Sequence, residues 1–262
     1  MTATDDLVPV LKKLRLSGVL LTLPLRLRQS VDDNLDHEEF LFRLLSDEVE
    51  RREAKQLQLR LRRATFEQHR TLEDFNFAFN PNIPKNRIID LATCAFIERH
   101  DNILLCGQAG VGKSHLGQAI GHRACRAGYS VVFCDAPRMF RELRAARADD
   151  SYDRKLTRFT TSTDLLIIDE LWLRPLAQGE PQDLHEIIRQ RYEHGSTIIT
   201  SNRAVAEWLP LFGDPLLASA TIDRLLHHSH VIDLEGDSYR NPPPEKEAQV
   251  SGAVQAQTEV TL

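Results

Sequence analysis

The octapeptide Gly107-Gln108-Ala109-Gly110-Val111-Gly112-Lys113-Ser114 fits the pattern G-x-x-x-x-G-K-[ST] at every fixed position. The pattern works only between a buried strand and the start of a helix, so it constrains the fold around it. Both flanks are present: Asn102-Ile-Leu-Leu-Cys106 is an apolar run that reads as the strand, and His115-Leu-Gly-Gln-Ala-Ile120 opens the helix. Glycines at 107, 110 and 112 let the backbone bend where a Cβ would clash, so that successive N–H groups and the helix N-terminus converge on phosphate. In such a loop Lys113 neutralises the β- and γ-phosphates and Ser114 gives its hydroxyl to Mg²⁺. The stretch from Gly107 to His115 is therefore expected to hold a nucleoside triphosphate.

A second run, Leu165-Leu-Ile-Ile168 followed by Asp169 and Glu170, places two acids at the end of an apolar strand. Ligands of open α/β sheets bind at that edge. Asp169 is expected to hold Mg²⁺ together with Ser114, and Glu170 to polarise an attacking water. The strand Thr197-Ile-Ile-Thr-Ser201 delivers Asn202, whose amide would orient that water, although a lone Asn after a strand is an ordinary turn residue. Arg224, next to Asp223, reads either as half of a solvated pair or as a finger reaching a neighbouring subunit's γ-phosphate. His227, His228 and His230 have no Cys or carboxylate at ligand spacing and read as surface residues.

From Arg87 onward, helical and strand patterns alternate. Helix runs to about Glu98, then strand 102–106, helix 113–127, strand 131–134, a helix from Arg138, strand 165–168, helix 184–192, strand 197–200, helix 218–227 and strand 231–234. The alternation predicts an α/β fold, a parallel sheet flanked by helices on both faces. Before it, the first 70 residues hold one glycine, Gly18, and two prolines, Pro9 and Pro24, and read as a small all-α domain. Within that domain Asp36 and Glu39 form a capping box ahead of a helix running to about Phe66. The predicted organisation is a helical domain at 1–70, a linker at 71–85, the α/β domain at 86–240 and a disordered tail at 241–262. A chain of 262 residues has room for this arrangement.

The formal net charge of −5 excludes a uniformly basic coat, so any nucleic-acid contact must come from local patches. No apolar run approaches the ~20 residues of a membrane span, and the N-terminus lacks a basic-then-apolar leader pattern, which predicts a cytoplasmic protein. Cys94, Cys106, Cys125 and Cys134 lack C-x-x-C spacing and read as buried thiols.

Several strings taken together resemble the AAA+ ATPases of the IstB type, helpers of one class of insertion sequences and relatives of the helicase loader DnaC and the initiator DnaA. They are Thr71-Leu-Glu-Asp-Phe75, the phosphate loop through Leu116, Arg174-Pro-Leu176, Ser196-Thr-Ile-Ile-Thr-Ser201, Glu207-Trp208, Leu211-Phe-Gly-Asp-Pro215, Asp223-Arg-Leu225 and Ser238-Tyr-Arg240. The resemblance spans residues 11–240. It implies ATP and Mg²⁺ as cofactors, a homo-oligomer that assembles on and bends duplex DNA, and recruitment of a cognate transposase. It also implies that a helical element between Pro137 and Phe159 lines the DNA, where Arg138, Arg141, Arg144, Arg147, Arg154, Lys155 and Arg158 supply charge. A solvated charged helix is the other reading of those residues.

Two stretches depart from that family. Relatives carry Asp-Asp-Phe-Gly where this chain has Asp169-Glu170-Leu171-Trp172, so the turn after the acids is altered. Asn202-Arg-Ala-Val-Ala206 lacks an expected proline. The alternatives are a helicase loader of the DnaC type, and a small-molecule kinase, for which no Arg-rich lid is found.

Overall fold

A computed structural model describes residues 3–243; from residue 244 the expected tail lies outside the described residues. The chain packs as two units divided between Leu59 and Arg60, ahead of the boundary expected at residue 70.

Helices α1 (Ala3–Lys13), α2 (Ser17–Asp32) and the first part of α3 (His37–Ala64) build the first unit. Its core is Val19, Leu23 and Leu44, with Leu11, Leu16 and Phe40 packed against them. The α3 helix starts where Asp36 accepts the Glu39 amide at 2.8 Å, which satisfies an otherwise orphaned N–H. It ends at Ala64, short of the expected Phe66, because Thr65 turns left-handed with φ 57°. Glu48 of α3 is buried and accepts the amides of Gly18 and Val19, so a carboxylate caps the N-terminus of α2.

The second unit contains α4 (Lys85–Leu91), α5 (Ala95–Glu98), β1 (Asn102–Gly107), α6 (Lys113–Ala127), β2 (Val131–Asp135), α7 (Ala136–Ala148), α8 (Tyr152–Phe159), β3 (Leu165–Leu171), α9 (Glu180–Arg191), β4 (Ser196–Ser201), a 3₁₀ turn (Val205–Glu207), α10 (Trp208–Phe212), α11 (Pro215–Leu226) and β5 (Ser229–Leu234). The strands form one parallel sheet in the order β2-β3-β4-β1-β5. Both faces are covered, which is why the strands read as continuous apolar runs rather than alternating ones. From β1 the chain crosses to the far edge at β2, leaving β1 flanked by β4 and β5. The crevice at the strands' C-terminal ends is where such a sheet accepts ligands.

Several elements differ from expectation for local reasons. The single helix expected from Arg87 to Glu98 is broken into α4 and α5 at Cys94, whose φ is 67°. The α7 helix starts at Ala136, not Arg138, because Asp135 caps it by accepting the Arg138 amide at 2.8 Å and Pro137 stands in its first turn. The β3 strand continues past Ile168 to Leu171 through a register shift against β4. The 3₁₀ turn and α10 were not expected; the anchors that seat them are Trp208 and Phe212, both fully buried. Residues 71–85, expected as a linker, pack into the second unit and bury Phe75, Phe79 and Ile83. All four cysteines are buried and free. No helix among the described residues is long and apolar enough to cross a membrane.

Candidate active site

The phosphate loop leaves β1 at Gly107 and enters α6 at Lys113. Gly110 and Gly112 hold φ of 85° and 99°, a region that side chains rarely adopt. Space adds a second restriction at Gly112, where a Cβ would lie 2.6 Å from the Phe75 ring. Val111 is buried and anchors the loop, whereas Gln108 and Ala109 are exposed. The Lys113 ammonium donates to the carbonyls of Gly107 (2.8 Å) and Gln108 (2.7 Å). Burial lowers its pKa and the neighbouring Asp169 charge opposes that shift.

The loop opens on a crevice of about 520 Å³ whose lining includes Lys113, Ser114, His115, Asp169, Glu170 and Asn202. Asp169 is buried, and its carboxylate accepts the Thr200 hydroxyl at 2.5 Å. Burial raises its pKa, and hydrogen bonds from Thr200 and Ser114 act the other way. The Thr200 oxygen also accepts the Glu170 amide at 2.9 Å, so one hydroxyl on β4 ties together both acids on β3. Glu170 itself is left-handed, with φ 56°, and its side chain is exposed to the crevice. Ser114 and Asp169 offer only oxygen donors, a set that fits Mg²⁺.

Other residues reach the crevice that the motifs did not indicate. Asp135 ends β2 in register with Asp169. Glu67 enters from the segment after α3, and burial, together with the carboxylates of Asp169, Asp135 and Glu170, raises its pKa. Phe75, Asn76, Tyr239 and Arg240 line the crevice as well. The Tyr239 amide donates to the Gly110 carbonyl at 2.9 Å, and its hydroxyl donates to the Asn76 carbonyl at 2.7 Å. Asn80 exchanges two hydrogen bonds with the Asp237 backbone, 2.8 and 2.9 Å. His115 packs edge-on against Phe75 and bonds the Thr71 carbonyl at 2.8 Å. Residues 71–80 and 236–240 thereby form one aromatic-walled clasp beside the phosphate loop. The sequence signals were the Phe75-Asn-Phe-Ala-Phe79 cluster and Ser238-Tyr-Arg240, whose meeting depends on a contact far apart in the chain.

Arg224 is not part of this crevice. It stands in the last turn of α11, before β5, donates to the Ala220 carbonyl at 2.7 Å and lines a separate cleft with Tyr192 and His227. Along α7 and α8, most of the basic residues expected to face DNA are paired: Arg138 with Glu142 (3.0 Å), Arg144 with Glu180 (3.1 Å), Arg147 with Asp183 (2.5 Å) and Lys155 with Glu142 (3.7 Å). Arg141 is exposed with no ion pair among the described residues. No group of three or more His, Cys, Asp or Glu side chains suited to a metal ion occurs among the described residues, His227, His228 and His230 included.

A family model described as IstB-like ATP-binding protein matches residues 9–246. An insertion-sequence protein of Mycobacterium tuberculosis, named for ATP binding, is 40% identical over 231 residues, 88% of this chain and 92% of that protein. The corresponding protein of insertion sequence IS21 in Pseudomonas aeruginosa is 35% identical over 235 residues, 90% of this chain and 88% of that one. Among solved structures, domain III of the replication initiation protein DnaA from Thermotoga maritima superposes with a TM-score of 0.58 at 18% identity, covering 72% of this chain and 74% of that one. DnaI gives 0.55 at 20% identity, over 64% of this chain and 92% of its own. At such identities the structural likeness establishes the fold.

Proposed function

The chain belongs to the IstB-like ATP-binding proteins of insertion sequences, with the AAA+ fold of DnaA and DnaC, and on that footing we propose that it hydrolyses ATP as an assembly factor on duplex DNA. In this reading it recruits and stimulates a cognate transposase. The observation that carries the proposal is the convergence of Lys113, Ser114, Asp169, Glu170 and Asn202 on one crevice, while Arg224 lies in another cleft. Within one chain the crevice has acids, a lysine, a hydroxyl and the guanidiniums of Arg70 and Arg240. Arg224, outside it, would reach the γ-phosphate of a neighbouring copy.

Each residue has a role that its position supports. Backbone N–H groups of the loop and the α6 N-terminus face the phosphates, and Lys113 exchanges its two loop carbonyls for phosphate oxygens. Ser114 and Asp169 would hold Mg²⁺, which supplies charge neutralisation at the β- and γ-phosphates. Asn202 orients a water, and Glu170 accepts its proton as the oxygen attacks the γ-phosphorus. The bond to the β-phosphate oxygen breaks, giving ADP and phosphate. Phe75 and Tyr239 offer the flat apolar walls that a base stacks on.

The test is sizing of the purified full chain with Mg²⁺ and ADP or a non-hydrolysable ATP analogue, each with and without duplex DNA, beside ATP turnover. Large assemblies only with analogue and duplex, and turnover that rises with DNA and protein concentration, are the expected results. A chain that remains monomeric on duplex with turnover indifferent to DNA would overturn the reading.

A further inference from the structure

The second unit carries a basic groove well apart from the nucleotide crevice in its lining. It opens along the start of β2, one of the two edge strands of the sheet, and has a volume of about 720 Å³. Four arginines line it: Arg60 and Arg63 from the end of α3, Arg154 and Arg158 from α8. Their spacings, three and four residues, put each pair on one face of its helix. The remaining lining is Val131 and Val132 with serines and threonines, and no carboxylate takes part.

Charge balance sets this groove apart from the neighbouring α7 surface. On α7, Arg144 and Arg147 are held by Glu180 and Asp183, which are 3% and 2% exposed, so those guanidiniums are committed to holding α7 against α9. In the groove, Arg60, Arg63 and Arg154 pair with no carboxylate among the described residues. Arg60 uses one N–H on the Cys125 carbonyl at 2.9 Å, which fixes its stem and leaves the rest of its fork free. Arg158 shares Glu142 with Arg138 and Lys155, at 3.6 Å, so that one carboxylate is divided among three cations. The hydroxyls of Ser130, Thr157 and Thr163 already donate to Asp164, the Asp153 carbonyl and the Arg158 carbonyl, so the guanidiniums are the recognition groups.

Three guanidiniums without a carboxylate partner, gathered beside a fourth that shares one, repel one another, and the state that relieves this has an anion of spread charge between them. We propose that this groove seats the phosphodiester backbone of DNA, with Arg63 and Arg154 contacting successive phosphates. The inference rests on the DNA-binding reading above and names the surface that serves it. It places the backbone contact on the end of α3 and α8, in preference to the ion-paired face of α7. Contacts of this kind position a duplex without reading its bases, so the groove accepts sequences alike.

The experiment measures duplex affinity of the full chain with Mg²⁺ and the ATP analogue across a salt series. It compares wild type, Arg63→Ala/Arg154→Ala, Arg63→Lys/Arg154→Lys and Arg141→Ala, with nucleotide binding and thermal unfolding followed in each. Both arginines of the double variant are exposed, so folding and nucleotide affinity should hold. The alanine pair should weaken binding at least about 10-fold for every duplex and lower the slope of log affinity on log salt by about 2. The lysine pair should keep most of the affinity, because a phosphate contact needs the charge. An alanine pair that binds like wild type overturns the groove and leaves the DNA reading standing. A wild-type chain that binds no duplex at any salt overturns both.

Discussion

Trp172 packs its indole against that of Trp208, ring centroids 5.7 Å apart, while its own backbone stays left-handed at φ 72°. The resemblance drawn from the sequence implies that relatives commonly carry glycine at this place in the run after the acids, and glycine adopts that conformation freely. Here a bulky residue holds it, at a cost of about 1–2 kcal/mol. Burial against Trp208 and Phe212 offsets that cost and fixes the turn that follows Glu170. Trp172→Ala should destabilise the chain by about 3 kcal/mol, through the lost indole. Trp172→Gly removes the same atoms and the strain with them, so thermal unfolding should rank it above the alanine variant. The reverse order would show that the turn is not strained.

Thr200 joins the two acids of the crevice, so Thr200→Val should act on both. Nucleotide affinity in Mg²⁺ should fall about 10- to 100-fold, the usual loss when a residue orienting a metal ligand is removed. Because burial raises the Asp169 pKa, and only its ionised form holds a cation, turnover should decline with falling pH sooner than an ordinary carboxylate would dictate. Loss of the Thr200 bond should move that acid limb to still higher pH. A pH profile unchanged in the valine variant would contradict this.

His122 stacks on Phe66 with centroids 4.4 Å apart, and burial, aided by His69 and Arg126, holds its pKa down to about 4. Between that value and the ordinary histidine value near ~6.5, the unfolded chain takes up a proton that the folded one refuses. Stability from this group is therefore full above the upper value and is lost as pH falls through the window. Denaturant unfolding at pH ~7.5 and ~5 should show wild type losing about 2 kcal/mol more than His122→Phe. Equal losses would place the neutral imidazole elsewhere.

Arg147 donates two hydrogen bonds to Asp183, at 3.0 and 2.5 Å, and lies 4.4 Å over the Tyr152 ring. Arg147→Ala leaves that buried carboxylate with Tyr152 alone and should destabilise by about 1–3 kcal/mol. Adding Asp183→Asn should recover part of the loss. Duplex affinity should change far less than stability does. A large affinity loss in a fully stable variant would return this arginine to the DNA surface.

The phosphate loop, the apolar strands and the span of α6 were legible because each depends on neighbours within a few residues. The parallel sheet followed from their alternation, since strands covered on both faces read as unbroken apolar runs. What stayed hidden depends on distant contacts or on backbone conformation. The Asn80–Asp237 clasp joins residues 157 positions apart, and nothing in Phe75-Asn-Phe-Ala-Phe79 says that Tyr239 will meet it. Asp135 lies just past the strand expected at 131–134, and its register with Asp169 appears only once β2 and β3 pair. The left-handed turns at Cys94, Glu170 and Trp172 occupy residue types that give no local sign of them. Charge on α7 was readable as a count, but which arginines are neutralised depends on carboxylates from α9.

In the proposed reaction Lys113, Ser114, Asp169 and Glu170 act together on ATP. The most direct measurement is ATP turnover by wild type and Glu170→Gln, with binding of a fluorescent ATP analogue followed on the same samples in Mg²⁺ and duplex DNA. Binding should be near equal and turnover at least about 100-fold lower in the glutamine variant, since an interaction made only in the transition state is lost. Turnover retained in Glu170→Gln at unchanged binding would contradict it.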